Sequence, residues 1–337
     1  MTADADKPQI VVKIDNRIRL LSAVLSLTTW PEQEQAYSPH GVHHHAKATR
    51  AFLKDAESHP AVEIMQELLE SNLSMDDIFS YATCLNYPGL RAKGSALPPW
   101  APKNWSAHLR DFNHSLKLRE LWEAEENEWQ KAKQEAERAL NTGDPKSFLE
   151  RFFGPMPDLA LRFQPNLAYP TADSMGFRWN DKLWAVSPPR IAWGTNPPWP
   201  YDDDPAATFA EVIGAYAKVL LRELLDKHPE EAEAAQKGKL PVPNTFVARY
   251  PEWFDQFAVL FVTGVTSIFL EETFSAAEAK AYSVMAQKAH GFKQLPSVID
   301  VLNRYLGSHN DGKFETFGEY LPTFSNALRV AAKLKSL

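Results

Sequence analysis

Residues 202–216 read Asp-Asp-Asp-Pro-Ala-Ala-Thr-Phe-Ala-Glu-Val-Ile-Gly-Ala-Tyr, and this stretch decides how the second half of the chain is interpreted. An acidic turn followed by proline is a helix-start signal, so we expect a helix that begins near residue 206. A zinc-binding helix of the H-E-x-x-H type needs a histidine one residue before its glutamate and another three residues after it, which places both imidazoles on one face. Glu211 stands between Ala210 and Gly214, and neither of these can bind a metal.

Composition indicates a folded globular protein. The chain has 337 residues, of which 44% are hydrophobic and 12% aromatic, and its net charge is −7. That charge, without a basic tract, predicts no nucleic-acid partner. The polar, acidic start differs from a secretory signal, and no apolar run has the length of a membrane span, so we expect no membrane partner and a cytoplasmic location. The single cysteine, Cys84, excludes an internal disulfide, and its apolar surroundings predict a buried, inert thiol.

The order of elements predicts a mainly α-helical α+β fold. A short strand at 10–14 precedes helices near 46–57, 59–71 and 75–86, with Ser74 as the N-cap of the last, and residues 105–141 are strongly helical. Short strands near 159–163, 177–179 and 183–186, with a turn at Asn180-Asp181, predict a small antiparallel sheet inserted between helical regions. We expect an N-terminal strand and helical bundle at 1–95, a helical connector at 96–155, and the sheet with a C-terminal helical region at 156–337, or one continuous domain.

With these segments placed, the chain resembles an uncharacterised group of bacterial and archaeal gluzincin metallopeptidase-like proteins, classified as a domain of unknown function. The segments that carry the resemblance are IDNRIRLLS (14–22), HPAV (59–62), SMDD (74–77) and FGEYLP (317–322). The resemblance implies a zincin-like scaffold and aligns Glu211 with the catalytic glutamate of the group. It also aligns Ala210 and Gly214 with the two histidine ligands and Val259 with the third ligand, a glutamate. The zinc centre is therefore expected to be missing, and we expect no cofactor.

A histidine run offers the other candidate for metal binding. His40, His43, His44 and His45 fall within six residues, and imidazoles at this density bind zinc, nickel or copper opportunistically. The run lies in a loop that leads into a helix, whereas functional metal ligands are usually held on rigid elements. Both interpretations, incidental affinity and a true site, stay open.

A proline-rich aromatic segment, 188–201, leads directly into the Glu211 helix. Its prolines lower the entropic cost of holding aromatic faces in place, which suits a wall that contacts a ligand and equally a loop packed on the core. The candidate binding residues are Arg190, Trp193, Trp199 and Tyr201, together with Tyr216 on the helix. The acids Asp202, Asp203 and Asp204 are expected to cap the helix or to bind a cation.

These observations lead to two functional hypotheses. The first is a catalytically degenerate peptidase-like protein that uses the remaining cleft to bind a peptide, a protein or a small molecule. The second is a hydrolase that reuses the cleft, either with a metal at the 40–45 histidines or without metal through Glu211, helped by Tyr216, Arg190 or Asp204.

Overall fold

The fold is mainly helical, with 64% of the residues in helices and one small four-stranded sheet. The computed structural model describes residues 9–37, 44–71, 73–93, 97–171, 174–190 and 197–335. Two compact units are present: the sheet unit, Ile10–Asn141 with Ala160–Pro205, and the helical unit, which contains Thr142–Leu159 and Ala206–Leu337. Neither follows the sequence segments 1–95, 96–155 and 156–337, because the chain leaves the sheet unit after residue 141, returns at 160 and leaves again at 205.

The elements in chain order are β1 (Ile10–Val12), α1 (Asn16–Leu25), α2 (Trp30–Tyr37), α3 (His44–Phe52), a 3₁₀ turn (Lys54–Ala56), α4 (Pro60–Glu70), α5 (Met75–Thr83), α6 (Trp105–Ser115), α7 (Leu118–Ala124), α8 (Glu126–Ala139), α9 (Pro145–Phe153), β2 (Ala160–Pro165), β3 (Met175–Trp179), β4 (Lys182–Ser187), α10 (Pro205–Lys227), α11 (Pro229–Gln236), α12 (Asn244–Arg249), α13 (Trp253–Thr273), α14 (Ala276–His290), α15 (Leu295–Asn310) and α16 (Phe317–Lys335). The helical stretch expected over 105–141 is three helices, because Lys117 adopts a left-handed conformation and the chain turns again at Glu125.

The sheet is mixed, which corrects the expectation of an inserted antiparallel sheet. Its strand order is β1-β2-β4-β3, with β1–β2 and β2–β4 parallel and only β3–β4 antiparallel. The hairpin is where the sequence places it: Trp179 pairs with Lys182 across the Asn180-Asp181 turn, and Asn180 has a positive φ of 52°. The parallel pairing of β1 with β2 could not be predicted from local sequence, because these strands are separated by about half of the chain.

One hydrogen-bonded junction fixes the start of α1 to the sheet. The Asp15 amide donates to Oε1 of Gln164 at 2.9 Å, and Gln164 Nε2 donates to the Asp15 carbonyl at 3.2 Å. Asp15 is also the N-cap of α1, since its carboxylate accepts from the Arg17 amide at 2.9 Å. Arg17 pairs with Asp15 and donates from Nη1 to the Leu85 carbonyl at 2.6 Å, so the junction also holds the end of α5.

The core of the sheet unit lies between one face of the sheet and the first helices. Side chains of β3 and β4 pack with α1, α4, α5 and α6, and the buried set includes Ile18, Leu21, Val24, Met65, Phe79, Trp105, Phe112, Phe177 and Trp184. The predicted N-cap of α5 is confirmed, because Ser74 Oγ accepts from the Asp77 amide at 3.1 Å. Cys84 is buried as expected, and burial raises its thiol pKa to about 11, which keeps it protonated.

Aromatic side chains form the core of the helical unit. Phe152 of α9, Phe261 of α13 and Phe317 of α16 are each fully buried, and the ring centres of Phe261 and Phe317 are 4.7 Å apart. Helix α13 alone among the described helices is long and apolar enough to cross a membrane, but 72% of its apolar window is buried inside the fold. Most of its apolar surface therefore faces protein.

Close packing of α13 on α15 requires a glycine. A methyl group at Gly264 would lie 2.6 Å from Leu302 Cδ1 and 2.8 Å from Val298 Cγ1, and both of these side chains are fully buried. Such distances are shorter than carbon–carbon contact, so a larger residue must push the helices apart.

We predict opposite effects for two glycine-to-alanine substitutions in this helix pair. Gly264→Ala should lower the free energy of unfolding by about 1–3 kcal/mol through overpacking. The matched control Gly307→Ala in α15, where no atom lies within 4 Å of the added methyl group, should raise it by up to about 1 kcal/mol through helix propensity. Urea denaturation of both variants measures this, and equal effects would contradict the described α13–α15 packing.

A half-buried histidine ends α14. His290 Nδ1 lies 2.8 Å from the Tyr250 hydroxyl, and burial, followed by the charge of Arg249, lowers the pKa of His290 to about 4. The unfolded chain, with an ordinary histidine pKa of about 6.5, therefore binds a proton at a higher pH than the folded chain does.

The stability contributed by neutral His290 should be complete above pH 6.5 and be lost as the pH falls toward 4. The loss should reach at most about 2–3 kcal/mol, reduced by the partial exposure of the ring. Unfolding free energies measured across this range for the wild type and His290→Asn test this, because the asparagine retains a hydrogen-bonding atom near Nδ1 but does not titrate. An unchanged pH dependence in the variant would show that other groups cause the loss.

Candidate functional site

Helix α10 carries Ala210, Glu211 and Gly214, the positions that the gluzincin-like resemblance aligns with a zinc-binding H-E-x-x-H motif. Ala210 is buried at 7% exposure, Glu211 is exposed, and Gly214 is partly exposed. The buried stripe of α10 includes Phe209, Val212, Ile213 and Tyr216, so the helix is anchored by apolar residues on both sides of Glu211. The glutamate therefore projects from a rigid element.

Helix α10 runs antiparallel to α13. The Phe209 and Phe269 ring centres are 5.3 Å apart near one end of the contact, and the Arg222 guanidinium lies 5.7 Å from the Phe254 ring centre near the other. Midway, a Cβ atom at Gly214 would be 3.7 Å from Val262 Cγ1 and 4.0 Å from Thr266 Oγ1. Alanine fits at that position, but an imidazole and a metal ion need several ångströms more.

The third aligned position, Val259, belongs to the same stripe of α13. It precedes Val262 by three residues, which places both on one helix face, and both are partly exposed. The face of α13 toward Gly214 therefore presents valines and a threonine hydroxyl. No carboxylate or imidazole stands at any of the three aligned positions.

One polar group near Glu211, the Tyr282 hydroxyl, comes from α14. Burial of its hydroxyl group raises the pKa of Tyr282, contacts with the Thr266 and Thr263 hydroxyls oppose that rise, and the negative charge of Glu211 adds to it. The Thr266 contact lacks regular hydrogen-bond geometry. We call Glu211, Gly214, Val259, Val262 and Tyr282 the Glu211 patch: all five are at least partly exposed, and Tyr282 stays protonated at neutral pH.

The candidate binding residues at the end of the sheet unit have separate roles. Arg190 forms an ion pair with Asp204, and its guanidinium lies 5.2 Å from the ring centre of Trp199, which is 44% exposed. Tyr201 is buried, and its hydroxyl donates to the Ser187 carbonyl at 2.7 Å, so it anchors the segment. Trp193 lies outside the described residues. Tyr216, in the helical unit, is fully buried.

Two of the three acids before α10 form ion pairs. Asp202 accepts from Arg138 Nε at 2.6 Å, and Asp204 pairs with Arg190. Among the residues that the structure describes, no group of three or more histidine, cysteine, aspartate or glutamate side chains could hold a metal ion.

The histidine run lies in part on a helix, which corrects the expectation of a loop. His44 is the first residue of α3, and His45 is 8% exposed. His45 Nδ1 lies 3.9 Å from Oε1 of Glu125, and burial together with His45 lowers the pKa of His44. Because His45 packs inside the sheet unit, it has a structural contact that the sequence did not indicate. His40 and His43 lie outside the described residues.

A buried cation in the sheet unit was not predicted from the sequence. Arg19 of α1 is 2% exposed, and its guanidinium carbon lies 4.0 Å from the ring centre of Trp129 and 4.9 Å from that of Trp122. Nη1 donates to Asn16 Oδ1 at 3.3 Å, while Nε and Nη2 have no hydrogen-bond partner among the described residues. The available signal was one arginine between Ile18 and Leu20 in an apolar helix.

The acids around Arg19 do not form an ion pair with it in the described chain. Glu125 accepts from Trp129 Nε1 at 3.3 Å and lies beside His45. Burial lowers the pKa of Arg19 to about 10, and the charges of Glu125 and Glu126 oppose that shift. Arg19 remains positively charged at neutral pH.

No family model, curated protein or solved structure matches the chain. The gluzincin-like resemblance and the zincin-like scaffold therefore stay predictions, and function has to be argued from the geometry of the two units.

Two substitutions at Gly214 test the description of the α10–α13 contact. Gly214→Ala should be neutral or raise the free energy of unfolding by up to about 1 kcal/mol, since the methyl group fits and alanine favours the helix. Gly214→His should lower it by about 1–3 kcal/mol, because the ring has to displace Val262. Thermal denaturation checks both variants, and a histidine variant as stable as the alanine variant would indicate an open cavity at this position.

Proposed function

We propose that the protein is a non-proteolytic binding protein on a zincin-like scaffold, and that the Glu211 patch contributes to its binding surface. The ligand is a peptide, a protein or a small molecule. One observation carries the proposal: Gly214 packs against Val262 and Thr266, where a zinc peptidase would need imidazole and an ion. We place the protein in the cytoplasm, in keeping with its single, buried cysteine.

The chemistry of the patch supports binding over hydrolysis. A peptidase requires an activated water and a group that stabilises the developing oxyanion. Glu211 is an exposed carboxylate, and nothing at the three aligned positions would lower the pKa of a water beside it. The Glu211 carboxylate and the half-exposed Val259 and Val262 instead offer one charged group and an apolar floor. Such a mixture is typical of surfaces that recognise a ligand.

The alternative hypothesis, a hydrolase that uses Glu211 without metal, rests on the same carboxylate. Neither Tyr216, which is fully buried, nor Tyr282, whose hydroxyl is buried, presents its hydroxyl to assist that carboxylate. A general base of this kind would act through its charge, so removal of the charge alone should abolish activity.

We predict that untagged protein binds no stoichiometric zinc and does not cleave casein, with or without added zinc. Elemental analysis after dialysis and a casein assay measure this. Glu211→Gln is the informative variant, and Glu230→Gln, an exposed acid on α11, is its matched control. One equivalent of zinc together with cleavage that disappears only in Glu211→Gln would overturn the proposal.

The two hypotheses also separate on ester substrates. Hydrolysis of p-nitrophenyl esters that is lost in Glu211→Gln and retained in Glu230→Gln would establish the metal-free hydrolase. If the protein is a binder, a thermal-shift screen of peptides and metabolites should yield ligands whose stabilising effect is reduced in Glu211→Gln, while neither variant changes the background ester hydrolysis.

A further inference from the structure

Arg19 is a buried charge that forms no ion pair with any of the described residues. Moving a guanidinium out of water is costly unless the charge is paired and hydrogen-bonded. Two indole faces offset part of this cost, since the centres of Trp129 and Trp122 lie 4.0 and 4.9 Å from the guanidinium carbon. Asn16 supplies one neutral acceptor at 3.3 Å. Two nitrogens, Nε and Nη2, are left without a partner among the described residues, and burying an unpaired donor costs free energy.

The two nitrogens without a described partner lie on the same side of the guanidinium group. Nε and Nη2 of Arg19 form one side of the guanidinium, where their N–H bonds point in parallel. This is the fork that accepts both oxygens of a carboxylate in a bidentate pair. Asn16 holds Nη1 on the other side and therefore fixes the direction of the fork.

The nearest acids of the chain are directed elsewhere. Glu125 lies at the junction of α7 and α8 and is engaged by Trp129 Nε1 at 3.3 Å, with His45 at 3.9 Å. Glu126 acts on Arg19 through its charge without forming an ion pair. No acid of the described residues therefore occupies the fork.

We propose that the Arg19 fork binds the carboxylate group of a small ligand, with the indoles of Trp122 and Trp129 as apolar walls. This rests on the proposed function only in that the protein binds its ligand without hydrolysing it. Tyr87, 41% exposed and 6.5 Å from Trp122 between ring centres, lies on the solvent side of the cluster. Access then requires the side chains that cover Arg19 to move, because Arg19 is 2% exposed.

The experiment uses tryptophan fluorescence and thermal shift on the full chain at constant ionic strength, with sodium benzoate, sodium acetate and inorganic phosphate as probes. Benzoate should change the fluorescence saturably and raise the melting temperature, and acetate should do so more weakly because it contacts less of the indole walls. Phosphate should have no saturable effect, since Glu125 and Glu126 repel a dianion. Saturable binding of phosphate alone would overturn the carboxylate assignment, and so would the absence of binding by all three probes.

Substitutions at Arg19 test whether the benzoate response arises at the fork. Arg19→Lys keeps the charge but loses the bidentate geometry, and should weaken benzoate at least about tenfold. Arg19→Met, which keeps the bulk, should abolish binding. Arg119→Met is the matched control, because this arginine is 85% exposed on α7, and it should bind as the wild type does. If Arg19→Met does not fold, Arg19→Lys decides. Unchanged benzoate affinity in any folded Arg19 variant would overturn the proposal.

Failure here is distinguishable from failure of the proposed function. The zinc and casein measurements report on α10 in the helical unit and do not involve Arg19. A protein that neither binds zinc nor cleaves casein, and whose Arg19→Met variant is more stable than the wild type without any probe binding, would show that Arg19 is a structural cation only.

Discussion

The packing of α10 on α13 is the constraint on which the functional interpretation depends. Because Gly214 has no side chain, the helices approach closely: a Cβ atom at this position would be in van der Waals contact with Val262 and Thr266. Phe209 and Phe269 hold the same contact at one end. Because a methyl group at Gly214 would already be in van der Waals contact with Val262, a metal site between these helices would require α13 to move. What remains is an exposed carboxylate on a rigid helix beside a protonated tyrosine.

Local signals predicted much of the fold. The Ser74 cap, the Asn180-Asp181 hairpin and the helix that bears Glu211 are confirmed, since each depends on residues within a few positions of one another. The parallel pairing of β1 with β2 was not predictable, because Ile10 and Leu161 meet only through the intervening helices. The same limit explains why the sequence suggested an antiparallel sheet and contiguous domains, while the units combine distant segments.

The candidate sites also include features that were predictable from local sequence and features that were not. The absence of metal ligands at Ala210 and Gly214 was predictable from side-chain chemistry alone. The exposure of Glu211 follows from its place beside the apolar stripe of α10. Tyr282 was not foreseen, because no motif links α14 to α10. Arg19 could not be paired with Trp122 and Trp129 from sequence, since their indoles reach it only after α1, α7 and α8 pack together. In both cases the missing information was tertiary contact between residues far apart in the chain.

The central claim is that the α10–α13 contact is closed to metal. The most direct measurement is a crystal structure grown with excess zinc, with anomalous differences recorded on both sides of the zinc absorption edge. The account predicts no zinc peak between Gly214 and Val262, even where ions occupy surface histidines. A full-occupancy peak within bonding distance of Glu211, with α13 displaced to admit it, would contradict the account.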